Sequence, residues 1–519
     1  MHPLMKLHNL LFLLCFSLLS LSSQAAHYHG EVSMYPPWQG GKNLGHLTFD
    51  VTTKNAKARE HFITGMKLVH TYEFPEATWS FREAQKLDPT FAMAYWGEIM
   101  ASHMFVWYAK EPEQARDAYN RMMNNINLSS LSGIEQGLIA AARILVEGNG
   151  VGLMPYEKGS RLQQFRDVLG VLQGQYPDSL ELKVLYGYAI LGSRRGVRDF
   201  ETNSRARRYF NMVLKENPQH PGALHYLIHA SENTVQGDWA RKAADSFGDI
   251  ASASIHALHM PSHYYYTKGN WPKVIEINQN AWEASKQRVK DTGLSQDNLE
   301  FHGFGWITYG MLQQGRHGDA YKVLKSLQRL YTERPTGTKL KYLQFARAGF
   351  LVDCPVNTAE FLKVRANDFP GTDGDMGARA ANIFANVYSS WRSGEYQDMA
   401  GPAEEYRNLL TEDPSSMGPP SRDAVKIMGR LVDALMALAD KDQNAAEEHL
   451  VAASQMEDSM VHEHGIPLVV KPANEMYGDF LLMQGRADDA VIYYRRSLEY
   501  QPGRLTSMEG LKEAGDTDL

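Results

Sequence analysis

The stretch AREHFITGMKLVHTYEFPEATWSFREAQKLDPTF, residues 58–91, decides the fold. Within these 34 residues Gly65, Ala77, Phe81, Ala84 and Pro89 take positions 8, 20, 24, 27 and 32. The same template reads onto KPANEMYGDFLLMQGRADDAVIYYRRSLEYQPGR, residues 471–504, where Gly478, Ala490, Tyr494 and Pro502 take positions 8, 20, 24 and 32. Weaker copies begin near Leu180, Pro221, Ile255, Phe301, Arg379 and Ala424. Small residues at 8 and 20 let two antiparallel helices approach closely. The aromatic at 24 fills the gap between them, and the proline ends the second helix. One such unit cannot bury its own apolar face, so successive units must stack into a solenoid.

This pattern resembles the tetratricopeptide repeat (TPR). The resemblance implies an all-α solenoid of helical hairpins wound into a right-handed superhelix. It also implies that the first helix of each unit lines the concave surface, with positions 2, 5, 9 and 12 facing inward. Residues 58–519 are expected to form a single TPR-type α-solenoid. Four phrases, SFREAQKLDPTFAMAYWGEIM, NPQHPGALHYLIHASE, HALHMPSHYYYTKGNW and LEFHGFGWITYGMLQQGR, further resemble an exported bacterial TPR family of uncharacterised activity. That resemblance implies that His70, His103, His220, His225, His229, His256, His259, His263 and His302 are family features, and it implies no particular reaction.

Bulk properties narrow the function. With 43% hydrophobic and 22% charged residues among 519, the composition is that of a soluble globular chain. A net charge of −7 and the lack of a long basic run weigh against nucleic acid as a partner. Residues 1–25 read as a signal peptide: Lys6 supplies a positive start, Leu10 to Leu21 an apolar run, and Ser23-Gln24-Ala25 a cleavage pattern. Its removal leaves no stretch of membrane-spanning length, so a periplasmic or secreted product is expected. Residues 26–57, rich in glycine and proline, read as an extended N-terminal leader. Cys354 is then the one remaining thiol, which excludes an internal disulfide and any metal site built on several cysteines.

Histidine is where the sequence concentrates its chemistry. Six of the chain's 19 histidines fall between His220 and His263. Counted from Pro221, His225, His229 and Glu232 take positions 5, 9 and 12; counted from Ile255, His256, His259 and His263 take positions 2, 5 and 9. His302 is position 2 of the unit at Phe301. These spacings put each group on one helix face. With the inward positions that the resemblance implies, all seven side chains meet in one stretch of groove, from three adjacent helices. The turn glycines Gly237 and Gly269 stand only 32 residues apart, so the earlier unit needs a longer turn or its histidines rotate.

A His-x-x-x-His pair on a helix chelates a divalent transition metal, and Glu232 with a facing ladder supplies donors for one ion or two. Zinc is the first expectation for neutral imidazoles, with copper, iron, nickel and manganese open. No His-Glu-x-x-His motif is present. Two functions follow. One is a scaffold whose concave groove binds a partner protein or peptide, its imidazoles meeting a carboxylate or an aromatic side chain. The other is a metal-dependent enzyme with His225, His229, His256, His259 and His263 as ligands. Glu232 would then be a ligand or a general base, and His302 a further donor.

Lesser candidates complete the reading. His70, His103 and His220 are expected elsewhere along the groove. Glu475 and Asp479, positions 5 and 9 of the last unit, read as a solvated acidic face. His27-Tyr28-His29 offers a minor copper site at a processed amino terminus. Tyr264, Tyr265, Tyr266, Trp271 and Trp282 read as core or groove wall.

Overall fold

The computed structural model describes residues 34–104, 109–110, 112–147, 160–193, 199–232, 238–366, 373–414, 417–460 and 465–516. The expected signal peptide, His27, His29 and Gly237 lie outside the described residues. Among those described, 24 α-helices follow one another, interrupted by one short antiparallel ladder that sets His103 opposite Lys110 and Met104 opposite Ala109. The fold is an all-α solenoid of TPR-like helical hairpins.

The first hairpin shows why the template works. Its helices are Ala56–His70 and Phe74–Leu87. The Asn55 side chain caps the first by accepting from the Ala58 N–H at 3.1 Å, and Pro75 sits in the first turn of the second. Phe81 fills the space between them. A Cβ added at Gly65 would lie 2.6 Å from its ring, and one at Gly97, in the next unit, 2.3 Å. A larger residue at either glycine overpacks the hairpin, at a cost of about 1–3 kcal/mol. In the last unit, Ala473–Met483 and Ala487–Tyr500, the ring of Tyr494 takes the same place against Gly478 and Gly510.

The apolar interior falls into two large cores, one spanning Leu44 to Tyr264 and the other Ile275 to Leu511. A third, small cluster groups Tyr266, Trp271, Trp306 and Tyr309 with Val274. The helical coil is wound tightly enough that distant units touch. Arg288 of Trp271–Thr292 donates to Glu73 at 3.0 Å and to Glu76, both in the first unit, and to Tyr35 of the leader at 3.0 Å. From the other end, Trp271 donates to the Gly503 carbonyl at 2.8 Å, and Arg504 donates to Asp353 at 2.7 Å.

This closure changes what the inner surface is. The seven candidate side chains do share one hollow, but that hollow is filled by protein and is not an open trough. His225, His229 and His259 are 0% exposed, His263 2% and Glu232 8%. Only His256 and His302 are half-buried.

Candidate metal centre

Three helical segments carry the histidines. Pro221–His229 starts at a cap made by His220, whose Nδ1 accepts from the Ala223 N–H at 3.3 Å. Ile255–His259 and Pro261–Tyr266 form one rod, because Met260 between them keeps helical angles (φ −52°, ψ −36°) and Pro261 removes only a donor. His256, His259 and His263 therefore stay on one face. His302 enters from Phe301–Gln313.

The six imidazoles fall into two sets of three, and Glu232 groups with His229 and His263, one histidine from each set. One nitrogen from each of His225, His229 and His256 lies within 4.8 Å of the other two, and the same holds for His259, His263 and His302. Within each set two Nε2 atoms come closer: His225 and His256 at 3.1 Å, His259 and His263 at 3.0 Å. Two nitrogens bound to one metal at zinc-like bond lengths lie about 3.3 Å apart. A nitrogen–nitrogen contact this short takes a proton or a metal ion between its members.

The far side of each ring argues which nitrogen faces inward. His225 Nδ1–H donates to the His70 carbonyl at 2.7 Å. His259 Nδ1–H donates to Asn278 Oδ1 at 2.6 Å, and Asn278 is itself oriented by donating Nδ2 to the Val274 carbonyl at 2.8 Å. Glu232 Oε1 lies 2.8 Å from His229 Nδ1 and 2.6 Å from His263 Nδ1. Holding Nδ1–H from behind presents Nε2 as a donor, the arrangement seen around metal-bound imidazoles. Glu232 thus sits behind both sets and touches one histidine of each. Burial, reinforced by the neighbouring His229, pushes the His225 imidazole well below its ordinary value and keeps it in the neutral, ligating form.

Aromatic rings wall the sets. Tyr72 lies edge-on to His225 at 4.5 Å and stacks on His256 at 5.0 Å, with its own backbone held at φ +60°. Trp306 packs 4.7 Å from His263 and 5.1 Å from His259.

The remaining candidates go elsewhere. His70 and His220 meet at Glu181, with His70 Nε2 at 2.7 Å from one oxygen and His220 Nε2 at 3.1 Å from the other. Burial alone would raise the Glu181 carboxyl. The adjacent His70 and the hydrogen bonds from both rings outweigh it, and hold the group at about 2. His103 is buried, with Nδ1 at 3.0 Å from the Ile99 carbonyl, and joins neither set. The solvated acidic face is corrected at Glu475, which is 0% exposed between Arg504 and Lys471. Tyr264, Tyr266 and Trp271 are buried, and Cys354 is buried beside Thr358.

Sequence reading missed Asn278, Tyr72, Trp306 and Glu181. Two of them carried a signal. Asn278 is position 24 of its unit, where Phe81 and Tyr494 stand in theirs, and Glu181 is position 2, like His256 and His302.

No family model and no curated protein matches the chain. Among solved structures it is similar to a chain of the APC/C hetero-tetramer Cut9-Hcn1, at 12% identity over 92% of this chain and 80% of that one, with a TM-score of 0.34. It is similar to a human IFIT1 dimer with PPP-AAAA at 10% identity over 93% and 98%, TM-score 0.35. It is also similar to yeast Tom70 at 10% identity over 89% and 96%, TM-score 0.34.

Proposed function

We propose that this chain is an exported metal-binding solenoid, whose inner histidines take up transition-metal ions at the junction of its two cores. One observation carries the reading. Four imidazoles from two successive units meet as Nε2 pairs at 3.0 and 3.1 Å, with Nδ1 of His225 and His259 hydrogen-bonded from behind and Nδ1 of His263 2.6 Å from Glu232 Oε1. A duplicated surface histidine has no reason to be oriented on both sides. Imidazole suits zinc, copper, iron and nickel, and zinc is the first metal to try.

Protein prepared without an affinity tag and reconstituted with a panel of divalent and monovalent metals tests it. At least about one equivalent of metal per chain is expected, falling by half or more in His259→Ala. Less than about a tenth of an equivalent of every metal overturns the reading.

A second reading, partner binding, has support at a different place. A pocket of about 460 Å³ is lined by Arg205, Arg207, Arg208, Asn211, Glu201, Ser204 and Trp239. Trp239 is 50% exposed and Arg207 lies 3.9 Å over its ring. Tryptophan and arginine are the residues that most often anchor interfaces. An acidic peptide is the occupant this lining fits. A fluorescein-labelled acidic peptide should lose affinity about tenfold or more in Trp239→Ala; an unchanged isotherm removes this reading and leaves the metal proposal intact.

A further inference from the structure

Resting on the metal reading, we propose that the centre holds two copper(I) ions, one in each three-histidine set, and that dioxygen is the ligand they take up.

With Glu232 behind the rings, the six imidazoles divide into two sets; a further grouping, His229 with Glu232 and His263, draws one histidine from each set. His225, His229 and His256 share no member with His259, His263 and His302, and the short Nε2 contacts fall inside the sets. What joins them is Glu232, whose Oε1 faces Nδ1 of His229 in one set and Nδ1 of His263 in the other. A single carboxylate therefore backs both.

Charge then selects the ion. The six rings ligate as neutral groups, and Glu232 contributes one negative charge. Glu73 approaches the His256 backbone N–H at 3.4 Å, but Arg288 already pairs with it at 3.0 Å. Two divalent ions would bring four positive charges into a site where His225, His229, His259, His263 and Glu232 are at most 8% exposed, and the cost of burying an ion rises with the square of its charge. Two monovalent ions bring two. Of the metals that imidazole suits, copper has the accessible monovalent state. Three nitrogens complete the coordination of copper(I), whereas zinc needs a fourth ligand.

The same pair defines what it can bind. Each copper(I) holds one electron to give. Dioxygen accepts one from each, both metals become copper(II), and the O–O bond order falls from two to one to leave peroxide, O₂²⁻. No proton and no further reductant is consumed. The burial favours a diatomic over larger substrates, since of the six rings only those of His256 and His302 are half-buried. The Trp306 Nε1–H, in a side chain 1% exposed beside the second set, has no hydrogen-bond acceptor among the described residues, and an oxygen anion would supply one.

The full chain, stripped of metal, is titrated anaerobically with copper(I) in competition with bicinchoninate. Two ions per chain are expected. On admitting air, an intense near-ultraviolet band should appear while the copper stays silent in electron paramagnetic resonance, because the two copper(II) ions couple. His256→Ala and His302→Ala, at the less buried positions and with helical circular dichroism unchanged, should each keep one ion and lose the band. One ion in the wild type, two ions retained by both variants, or two uncoupled copper(II) signals after air would overturn the proposal. Binding of zinc or another divalent ion but no copper(I) overturns it and leaves the metal reading standing, whereas binding of no metal ends both.

Discussion

Positions 5 and 9 of the repeat hold histidine in the units at Pro221 and Ile255, and Glu475 and Asp479 in the last unit. Both regions bury these residues except Asp479, whose side chain is 36% exposed, and they satisfy the buried ones in opposite ways. Glu475 receives Arg504 Nε at 2.6 Å and Nη2 at 3.0 Å, Lys471 Nζ at 2.7 Å, Thr506 at 2.9 Å, and Ser507. Burial raises its carboxyl, but Arg504 and Lys471 more than reverse this and hold it well below the usual carboxylate range. Arg504 also reaches Asp353, so the cluster ties the last helix back to the middle of the solenoid. Among the histidines, imidazole nitrogens face each other. In a coil wound this tightly position 5 is buried whether histidine or glutamate occupies it, as at His225, His259 and Glu475. A clasp results where charges of opposite sign meet, and the proposed ion site where donors of one kind converge.

The His70–Glu181–His220 cluster lies between these extremes, being histidine closed by a carboxylate. It makes the comparison breakable by mutation. Arg504→Met, which strands Glu475 and Asp353 in the interior, should produce the largest loss, about 3–5 kcal/mol in urea denaturation. Next comes pH. The Glu181 carboxyl lies at about 2 in the fold against an ordinary 4.5. A carboxyl depressed by folding contributes stability above its unfolded value and loses it as pH falls through the folded one. The stability difference between wild type and Glu181→Gln should therefore be about 3 kcal/mol near neutrality and shrink between pH 4.5 and 2, measured by urea titration at stepped pH.

Asn278→Ala sharpens the other side. Losing the acceptor that fixes His259 should weaken metal binding about 10–100-fold with the ligands themselves intact, as read by competition with a chromophoric chelator. The smallest effect belongs to Asp479→Asn. That side chain is 36% exposed and its partner Lys471 keeps Glu475, so the thermal shift should correspond to less than about 1 kcal/mol.

The hairpins were legible because a glycine at position 8 facing an aromatic at 24 is a local steric rule, visible in residues 58–91 and obeyed by Phe81. The meeting of the histidines was legible from register together with the inward positions that the repeat resemblance implies: positions 2, 5 and 9 of neighbouring units converge. The 32-residue spacing of Gly237 and Gly269 did not rotate His225 and His229 away from His259 and His263. Burial was not legible, since it depends on how tightly the superhelix winds. Nothing local to Tyr72 or His70 announces that the first unit will pack on Pro221–His229. Glu475 was misread for the same reason. Lys471 stands four residues before it, but the decisive partner Arg504 comes from the segment after the next helix. Asn278 was readable, as a polar residue at the gap-filling position that Phe81 and Tyr494 hold in the first and last units.

The most direct test of the central claim is anomalous diffraction from crystals of the metal-reconstituted chain, collected at the absorption edge of the bound metal. The account predicts anomalous density within bonding distance of the Nε2 atoms of His225 and His256, of His259 and His263, or of both pairs. A map empty there, with each pair of nitrogens still about 3 Å apart and sharing a proton, would contradict it.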